Sequence, residues 1–319
     1  MNSSALRRPA LPAALVLCSS LALTACGSGG SNGTGAPAAA GPVTVAGVSI
    51  SSDPALHDVL PEAVRKSGKV RVATDVPYPP FEMYVSEGSK EMTGLDYDLG
   101  QALGAKLGVR FEFQAQKFDG IVPALQAGKY DAAISAITDN REREQVVDFV
   151  DYSVSGSGVL IAKGNPEKIT TLDDLCGRAV AVQTATNQQK LLEKHQDRCR
   201  ELGRGAVDVQ TFPKDSDAQL ALRSGKVVAD VLTKPAAGWT AKTADGGSAF
   251  EVADDPAALG GYNASPNGIA VAKNLPQLTD AVSKALQALI DDGSLARIYD
   301  KYGVASIAVE QATKNSAVD

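Results

Sequence analysis

The sequence is poor in the residues that bind metals and in the patterns that mark common catalytic sites. Its 319 residues include four cysteines and two histidines; no two cysteines have CxxC spacing, and His57 and His195 stand apart from other candidate ligands. No nucleophile elbow, phosphate-binding loop or internal repeat is found along the chain. We therefore expect no metal centre, no bound cofactor and no thiol redox motif.

Long apolar runs are also missing after the first 25 residues, so no later segment is expected to span a membrane. The formal net charge is −6. Removing residues 1–25 takes away two arginines and no acidic residue, which changes this charge to −8. An acidic surface argues against nucleic-acid binding and aids solubility.

The chain begins with the pattern of an export signal. Arg7 and Arg8 precede an apolar run from Ala10 to Leu23, which is too short for a transmembrane helix and predicts a signal peptide over residues 1–25. The run closes on Leu-Thr-Ala-Cys, which looks like a lipobox with Cys26 as the lipidated first residue of the mature chain. The alternative is an ordinary signal in which Cys26 is incidental. With the lipid, the protein would be exported and anchored to the outer face of the cell membrane.

A low-complexity segment follows the signal. Residues 27–42 are only Gly, Ser, Ala, Pro, Asn and Thr, which cannot bury enough surface to fold. We assign residues 26–58 to a flexible tether.

The remaining length, about 260 residues, is large for one hydrophobic core and favours two lobes. Strand and helix patterns alternate, which predicts an α/β fold of parallel sheets with covering helices. The predicted elements are strands at 69–73, 110–113, 131–137 and 178–183, and helices at 98–107, 120–127, 278–290 and 295–302.

The most informative stretch runs from Phe118 to Phe149. A strand predicted over Asp131 to Ile137 is followed by a polar loop that contains Thr138 and Arg143. Ligands of open α/β sheets bind just beyond the carboxyl ends of strands, and a guanidinium offers a planar fork of donors that matches a carboxylate. We interpret Arg143 as a carboxylate clamp; the alternative is a solvated ion pair.

Three other motifs accompany this stretch in order: Tyr-Pro-Pro-Phe at 78–81, Gly-Leu-Asp-Tyr-Asp-Leu at 94–99 and Gly-Ile-Ala-Val at 268–271. Together they resemble the family 3 extracellular solute-binding proteins, the polar amino-acid receptors of ABC importers, from about Leu60 to about Val304. The resemblance implies a two-lobed periplasmic-binding-protein-like fold of type II, with two hinge strands joining the lobes. It places lobe 1 at 59–154 plus 266–319 and lobe 2 at 155–265. It also implies a monomer that works with a membrane permease.

The resemblance also implies which residues face the ligand. Asp75, Tyr78 and Phe118 match positions that line the cleft, the two rings covering the faces of the ligand, and Ser135 and Ala136 match positions near its ammonium. From spacing alone, core packing is favoured for Tyr78 and Phe118, and Asp75 fits equally well a residue that caps or braces its own turn.

A helix predicted to begin near Thr186 and Asn187 supplies the facing side of the cleft. Thr186 with Gln189 forms a capping-box pattern, and the exposed amides of a helix start attract anions. A ligand carboxylate held between Arg143 and this turn would bridge both lobes.

Thr233 departs from the pattern of the family. Relatives usually carry an aspartate there, which pairs with the α-ammonium of the ligand. An unpaired ammonium in a closed cleft is costly to desolvate. Either Asp75 or Asp230 replaces the missing charge, or the ligand is not a standard α-amino acid; Lys234 reaching inward would favour an extra acid on the ligand.

Two cysteines remain once Cys18 and Cys26 are set aside. Cys176 and Cys199 in an exported protein favour a disulfide, which agrees with some relatives; a metal or redox pair is the alternative.

The function that we expect is a lipid-tethered receptor that captures a small polar carboxylate, an amino acid or a derivative, and delivers it to a permease. The alternatives are an enzyme on the same scaffold, similar to cyclohexadienyl dehydratases, and a ligand sensor. Asp75, Asp230 and Glu82 are the acids available to an enzyme, and they form no evident acid–base pair.

Overall fold

The fold is described by a computed structural model that covers residues 41–318. The signal peptide, most of the glycine-rich segment and Cys26 lie outside the described residues. Residues 43–58, which the sequence assigns to the tether, instead form a small hairpin and a short helix. The hairpin is ordered because Val45, Val48 and Ile50 are buried in the main hydrophobic core.

The part of the chain up to residue 144 contains β1 (Val43–Val45), β2 (Val48–Ile50), α1 (Pro54–Asp58), α2 (Glu62–Ser67), β3 (Lys69–Thr74), β4 (Met83–Tyr84), β5 (Met92–Thr93), α3 (Leu95–Leu107), β6 (Arg110–Ala115), α4 (Ile121–Gln126), β7 (Ala132–Ala133) and α5 (Arg141–Glu144). The middle part contains β8 (Val147–Ala162), β9 (Ala179–Gln183), α6 (Asn187–Glu201), β10 (Asp208–Phe212), α7 (Asp215–Arg223), β11 (Ala229–Thr233), α8 (Lys234–Thr243) and β12 (Phe250–Val252). The last part contains β13 (Tyr262–Ala272), α9 (Pro276–Asp291), α10 (Ser294–Lys301) and β14 (Ala308–Lys314). Single 3-10 turns occur at Phe118–Gly120, Leu172–Leu175, Ala244–Gly247 and Ala305–Ile307. No helix within residues 41–318 has the length and apolar character needed to cross a bilayer.

One mixed sheet runs through both lobes in the order β10-β9-β11-β8-β13-β7-β3-β6, and β12 and β14 also pair with β8. Parallel pairs occur at its two ends, β3 with β6 and β7 in the first lobe and β9 with β10 and β11 in the second. The two-lobed α/β class predicted from the sequence is confirmed. The predicted parallel pairs are present in both lobes, and between them β8 and β13 pair antiparallel.

The segments between the lobes are long strands. β8 and β13 remain paired through Ser155 and Ser265, with irregularities in register between Tyr262 and Ser265 and between Asn267 and Gly268. The side-chain amide of Asn267 donates to the hydroxyls of Ser153 (3.2 Å) and Ser155 (2.9 Å). The small polar residues of the segments that join the lobes therefore lie inside paired strands.

The C-terminal helices pack on the first lobe. α9 contacts α3, and its apolar residues recur at helical spacing, so they form one buried face. The members of this face are each fully buried: Leu278, Ala281, Val282, Ala285, Leu286 and Leu289. Burying a leucine side chain contributes about 1.5–3 kcal/mol, so this face is a main source of stability for the lobe.

A separate core lies in the second lobe, where Val180 and Val182 of β9 are buried with Leu192 and Cys199 of α6. Cys199 forms the predicted disulfide with Cys176, which ties α6 to the turn before β9.

Gly156 and Gly261 allow the two segments that join the lobes to touch. A Cβ on Gly156 would lie 2.4 Å from the carbonyl carbon of Gly261, and the Gly156 amide donates to Gly260 O at 3.1 Å.

We expect Gly156→Ala to force the backbones apart and to cost about 1–3 kcal/mol, seen as a Tm lower by several degrees in a thermal melt. Gly238→Ala, where a Cβ would meet only open space in α8, is the matched control. An unchanged Tm for Gly156→Ala would show that the contact between these two segments tolerates a side chain.

Candidate functional site

A small cavity of about 20 Å³ lies where the two lobes face each other. Its walls are the loops after β3 and β7 in the first lobe, and the end of β9, the start of α6 and the end of β11 in the second. The lining residues are Asp75, Tyr78, Glu82, Phe118, Ser135, Ala136, Thr138, Gln183, Thr186, Asn187, Gln188 and Thr233. The position agrees with the rule that ligands bind beyond the carboxyl ends of strands.

Eight of the nine ligand-binding residues predicted from the sequence line this cavity: Asp75, Tyr78, Phe118, Ala136, Thr138, Thr186, Asn187 and Thr233. The ninth, Arg143, lies at its edge, with the guanidinium carbon 5.5 Å from the centre of the Phe118 ring. The structure therefore brings together residues that are far apart in the chain.

Arg143 is half-buried between the lobes. Its guanidinium donates to Thr138 O at 2.7 Å in its own lobe and to Ala185 O at 2.9 Å in the other. Asn140 positions it, because the Asn140 side chain caps α5 by accepting from the Arg143 amide at 2.9 Å. The guanidinium therefore links the two lobes at the edge of the cavity.

The start of α6 faces Arg143. The Thr186 hydroxyl accepts from the Gln189 amide at 3.2 Å and donates to Gln183 O at 2.7 Å, so the predicted cap is present. The reciprocal hydrogen bond differs from that of a capping box, because the Gln189 side chain accepts from the backbone amide of Ala185 at 2.9 Å and not from that of Thr186. Asn187 at the first turn accepts from the Asn140 side chain at 2.8 Å.

Direct contacts hold the lobes together around the cavity. The side-chain amide of Gln183 donates to Asp75 Oδ2 at 2.6 Å. The Tyr78 hydroxyl lies 2.9 Å from Thr233 Oγ1 and 2.9 Å from the Thr233 backbone nitrogen. A cavity of this size holds water and nothing as large as an amino acid. A ligand must therefore separate these contacts and replace them with its own.

Asp75 has two partners. Its backbone amide donates to Ser135 Oγ at 2.8 Å, which braces the turn, while its carboxylate accepts from Gln183. Burial raises the pKa of Asp75. The brace of this turn thus comes from the Ser135 hydroxyl on the backbone, while the Asp75 side chain bonds to the other lobe.

Glu82, which lines the cavity, and Asp96 behind it form a buried acidic pair. Ser135 Oγ donates to Glu82 Oε1 at 2.5 Å, and Asp96 accepts from the Ala136 amide and the Tyr152 hydroxyl, each at 2.7 Å. Burial, helped by the charge of Asp96, raises the pKa of Glu82 well above its usual value, and burial raises the pKa of Asp96 to about 6. Ala136 has a φ of +45°, a conformation that alanine rarely adopts. The hydrogen bond from its backbone amide to Asp96 therefore helps to hold this turn.

Thr233 ends β11 inside the cavity and is 5% exposed. Of the two acids considered as replacements for the missing charge, Asp75 lines the cavity and Asp230 does not. Asp230 is fully buried, and burial together with Asp215 raises its pKa well above the usual value. The inward reach considered for Lys234 is wrong, because its ammonium donates to Ala258 O at 2.7 Å outside this cavity.

Gln183 and Gln188 line the cavity but were not among the predicted binding residues. Gln183 is the last residue of a buried strand, so the strand-end rule applied to β9 would have found it. Gln188 had no comparable signal, because either side of the first turn of α6 could have faced the cleft.

The described residues contain one group with metal-binding atoms within 4.8 Å of one another, Cys176, His195 and Cys199. Its two sulfur atoms form the disulfide, so they are not metal ligands in this structure.

Comparison with known proteins agrees with this geometry. Residues 70–305 match the model of the bacterial extracellular solute-binding proteins, family 3. The chain is 30% identical over 263 residues to the arginine-binding protein ArgT of Corynebacterium glutamicum, covering 82% of this chain and 83% of the relative. It is 29% identical over 261 residues to the L-cystine-binding protein TcyJ of Escherichia coli K12, covering 81% and 90%.

Solved structures give the same result. An ancestral arginine-binding protein bound to arginine superposes with a TM-score of 0.65 at 34% identity, covering 74% of this chain and 98% of that one. The ancestral amino-acid-binding protein AncCDT-1, a precursor of cyclohexadienyl dehydratase, superposes with a TM-score of 0.66 at 32% identity, covering 76% and 98%. This chain therefore belongs to the family 3 bacterial extracellular solute-binding proteins.

Proposed function

We propose that this protein captures a small polar carboxylate, an amino acid or an amino-acid derivative, by closing its two lobes and passes it to an ABC permease. The observation that carries the proposal is the cavity between the lobes, whose polar lining comes from both lobes and whose edge carries Arg143. Relatives that bind arginine and cystine support the ligand class. A ligand that contacts both lobes favours the closed form, because only differential contact shifts a population.

The export signal and the lipobox-like sequence at Cys26 support attachment to the outer face of the cell membrane through a lipid. In this proposal the protein acts as a monomer without a cofactor, and the segment after Cys26 gives the folded part its reach.

Ligand screening tests this function. The mature protein, prepared without its lipid, is heated with individual amino acids, their N-substituted derivatives, betaines and dicarboxylates. A ligand present at a hundredfold excess over its Kd stabilises the folded state by about 2.7 kcal/mol, which gives a Tm increase of several degrees. If no carboxylate in this set raises the Tm, the proposed function is wrong.

The neutral residue at 233 yields a specific prediction. Thr233→Asp places a carboxylate beside Tyr78, and a charged hydrogen bond to an ammonium is worth about 1.5–3 kcal/mol. We expect the variant to bind plain α-amino acids about ten to a hundred times more tightly than the parent protein, as measured by calorimetric titration. Thr233→Asn is the uncharged control of the same shape. Equal affinities in both variants would show that the ammonium lies elsewhere.

A catalytic role is the second candidate, because Glu82 lines the cavity, has a raised pKa and finds no hydrogen-bond partner for its Oε2 atom among residues 41–318. Its bond to Ser135 and its pairing with Asp96 favour a structural role. Incubation with prephenate and arogenate separates the two: the receptor leaves both compounds unchanged, while an aromatic product that Glu82→Gln abolishes would favour the enzyme.

A further inference from the structure

A second cavity, of about 290 Å³, adjoins the small one. Both cavities are lined by Thr138, Asn187, Gln188 and Thr233, so they meet along one edge. We propose that the second cavity holds part of the ligand, and that the natural ligand is an amino acid carrying an additional anionic substituent. This inference rests on the proposed function and specifies its substrate class.

The lining of the second cavity is polar and comes from the two strands that join the lobes and from the first half of α6. Besides the four shared residues, it includes Ser155, Ser157, Asn263 and Asn267 of the strands and Lys190 and Lys194 of α6. Hydroxyl and amide side chains there offer hydrogen bonds to a polar substituent. The volume is close to the lower end of the range for small-molecule sites, about 300–1,000 Å³.

The charge of this cavity has one sign. Lys190 and Lys194 are its charged lining residues within 41–318, and that part of the chain contributes no acidic side chain to it. They are one turn apart on α6 and so share a face of the helix. Lys190 forms an ion pair with Glu142 across the gap between the lobes. Lys194 is exposed and takes part in none of the ion pairs found among residues 41–318, so its ammonium remains for an anion.

Thr233 fits this arrangement. It lies on the edge common to both cavities, where an aspartate would repel an anionic substituent passing from one cavity into the other. A neutral, short side chain permits such a ligand. The neutral side chain at position 233 and the two lysines, which are 39 or more positions away in the sequence, therefore favour the same ligand class.

The test compares two compounds that differ only in the substituent: L-arginine or L-glutamine, and the same amino acid carrying a carboxyethyl group on its α-nitrogen. We expect the carboxyethyl compound to bind at least about tenfold more tightly in calorimetric titration, as one additional charged hydrogen bond would give. In Lys194→Gln its affinity should fall about two- to fivefold, the range of an exposed ion pair, while that of the parent amino acid stays unchanged. Lys168→Gln removes an exposed lysine of the same lobe away from both cavities and is the matched control.

The possible outcomes are distinct. Tighter binding of the carboxyethyl compound with a loss specific to Lys194→Gln, which shrinks at high salt, supports the inference. Weaker or equal binding of that compound overturns it, while binding of the plain amino acid leaves the proposed function standing. An equal loss in Lys194→Gln and Lys168→Gln also overturns the assignment to this cavity. If neither compound nor any other carboxylate binds, the proposed function itself fails.

Discussion

Arg143→Ala is expected to weaken ligand binding at least about thirtyfold while leaving the fold intact. The guanidinium now bonds to Thr138 O and Ala185 O, and in the proposed complex it transfers part of this fork to the ligand carboxylate. Removing one member of a buried charge pair costs about 2–5 kcal/mol, because the other charge is left without a partner. Calorimetric titration with whichever carboxylate raises the Tm of the parent protein measures the loss.

Two variants make this result specific. Arg143→Lys retains the charge but has no planar fork, so its affinity should fall between those of the parent and Arg143→Ala. Arg141→Ala alters an exposed arginine of the same short helix and should bind normally. Binding by Arg143→Ala within about threefold of the parent would place the carboxylate elsewhere.

Asp139→Asn is expected to remove a large part of the pH dependence of stability. Asp139 is 1% exposed and faces Asp151 and Glu144. Burial first, and then these two carboxylates, raise the pKa of Asp139 to about 8. The backbone amide of Ser316 donates to Asp139 Oδ2 at 2.8 Å, whereas Oδ1 has no hydrogen-bond partner in the described part of the chain. An asparagine retains the acceptor and adds N–H donors that suit the two neighbouring carboxylates.

The sign of this effect follows from the raised pKa. The folded state holds the Asp139 proton more tightly than the unfolded chain, so its contribution to stability is greatest at low pH. The free energy of unfolding should then fall between about pH 4 and pH 8, by up to about 1.4 kcal/mol per pH unit. Asp139→Asn has no such proton, so its Tm should increasingly exceed that of the parent as the pH rises.

Melting both proteins from pH 5 to pH 9 measures the difference directly. Asp58→Asn removes an equal charge from an exposed position on α1 and is the control. A Tm difference between Asp139→Asn and the parent that stays constant across this range would show that Asp139 does not hold a proton in the folded state.

Much of the site was predictable because strand ends and helix starts can be recognised locally. The strand before Asp75, the helix that begins at Asn187 and the strand that ends at Thr233 each have a clear sequence pattern. In an open α/β sheet such ends carry the ligand-binding residues. The resemblance to a family then selected among them, and the structure places eight of the nine in one cavity.

Other features depend on groups that meet only after folding. The strand predicted over 131–137 is ordered as β7 for two residues only, because the chain then turns through Ala136 to bring Ser135 and Thr138 to the cavity. The predicted inward role of Lys234 failed for a similar reason, since the side chain found a carbonyl acceptor on another loop. Neither the length of a paired strand nor the direction of a lysine is encoded by local periodicity.

The sequence alone determined the α/β class, the positions of most helices and strands, and the chemical types available at their ends, because these follow from short-range periodicity and capping. Only the tertiary structure decided which ends face one another. The Tyr78 hydroxyl meets Thr233 across 155 positions of sequence, and Asp139, Glu82 and Asp96 became buried acids only once other segments covered them. Distances and desolvation of this kind arise from packing between remote segments, and they set the pKa values and the shape of the cavity.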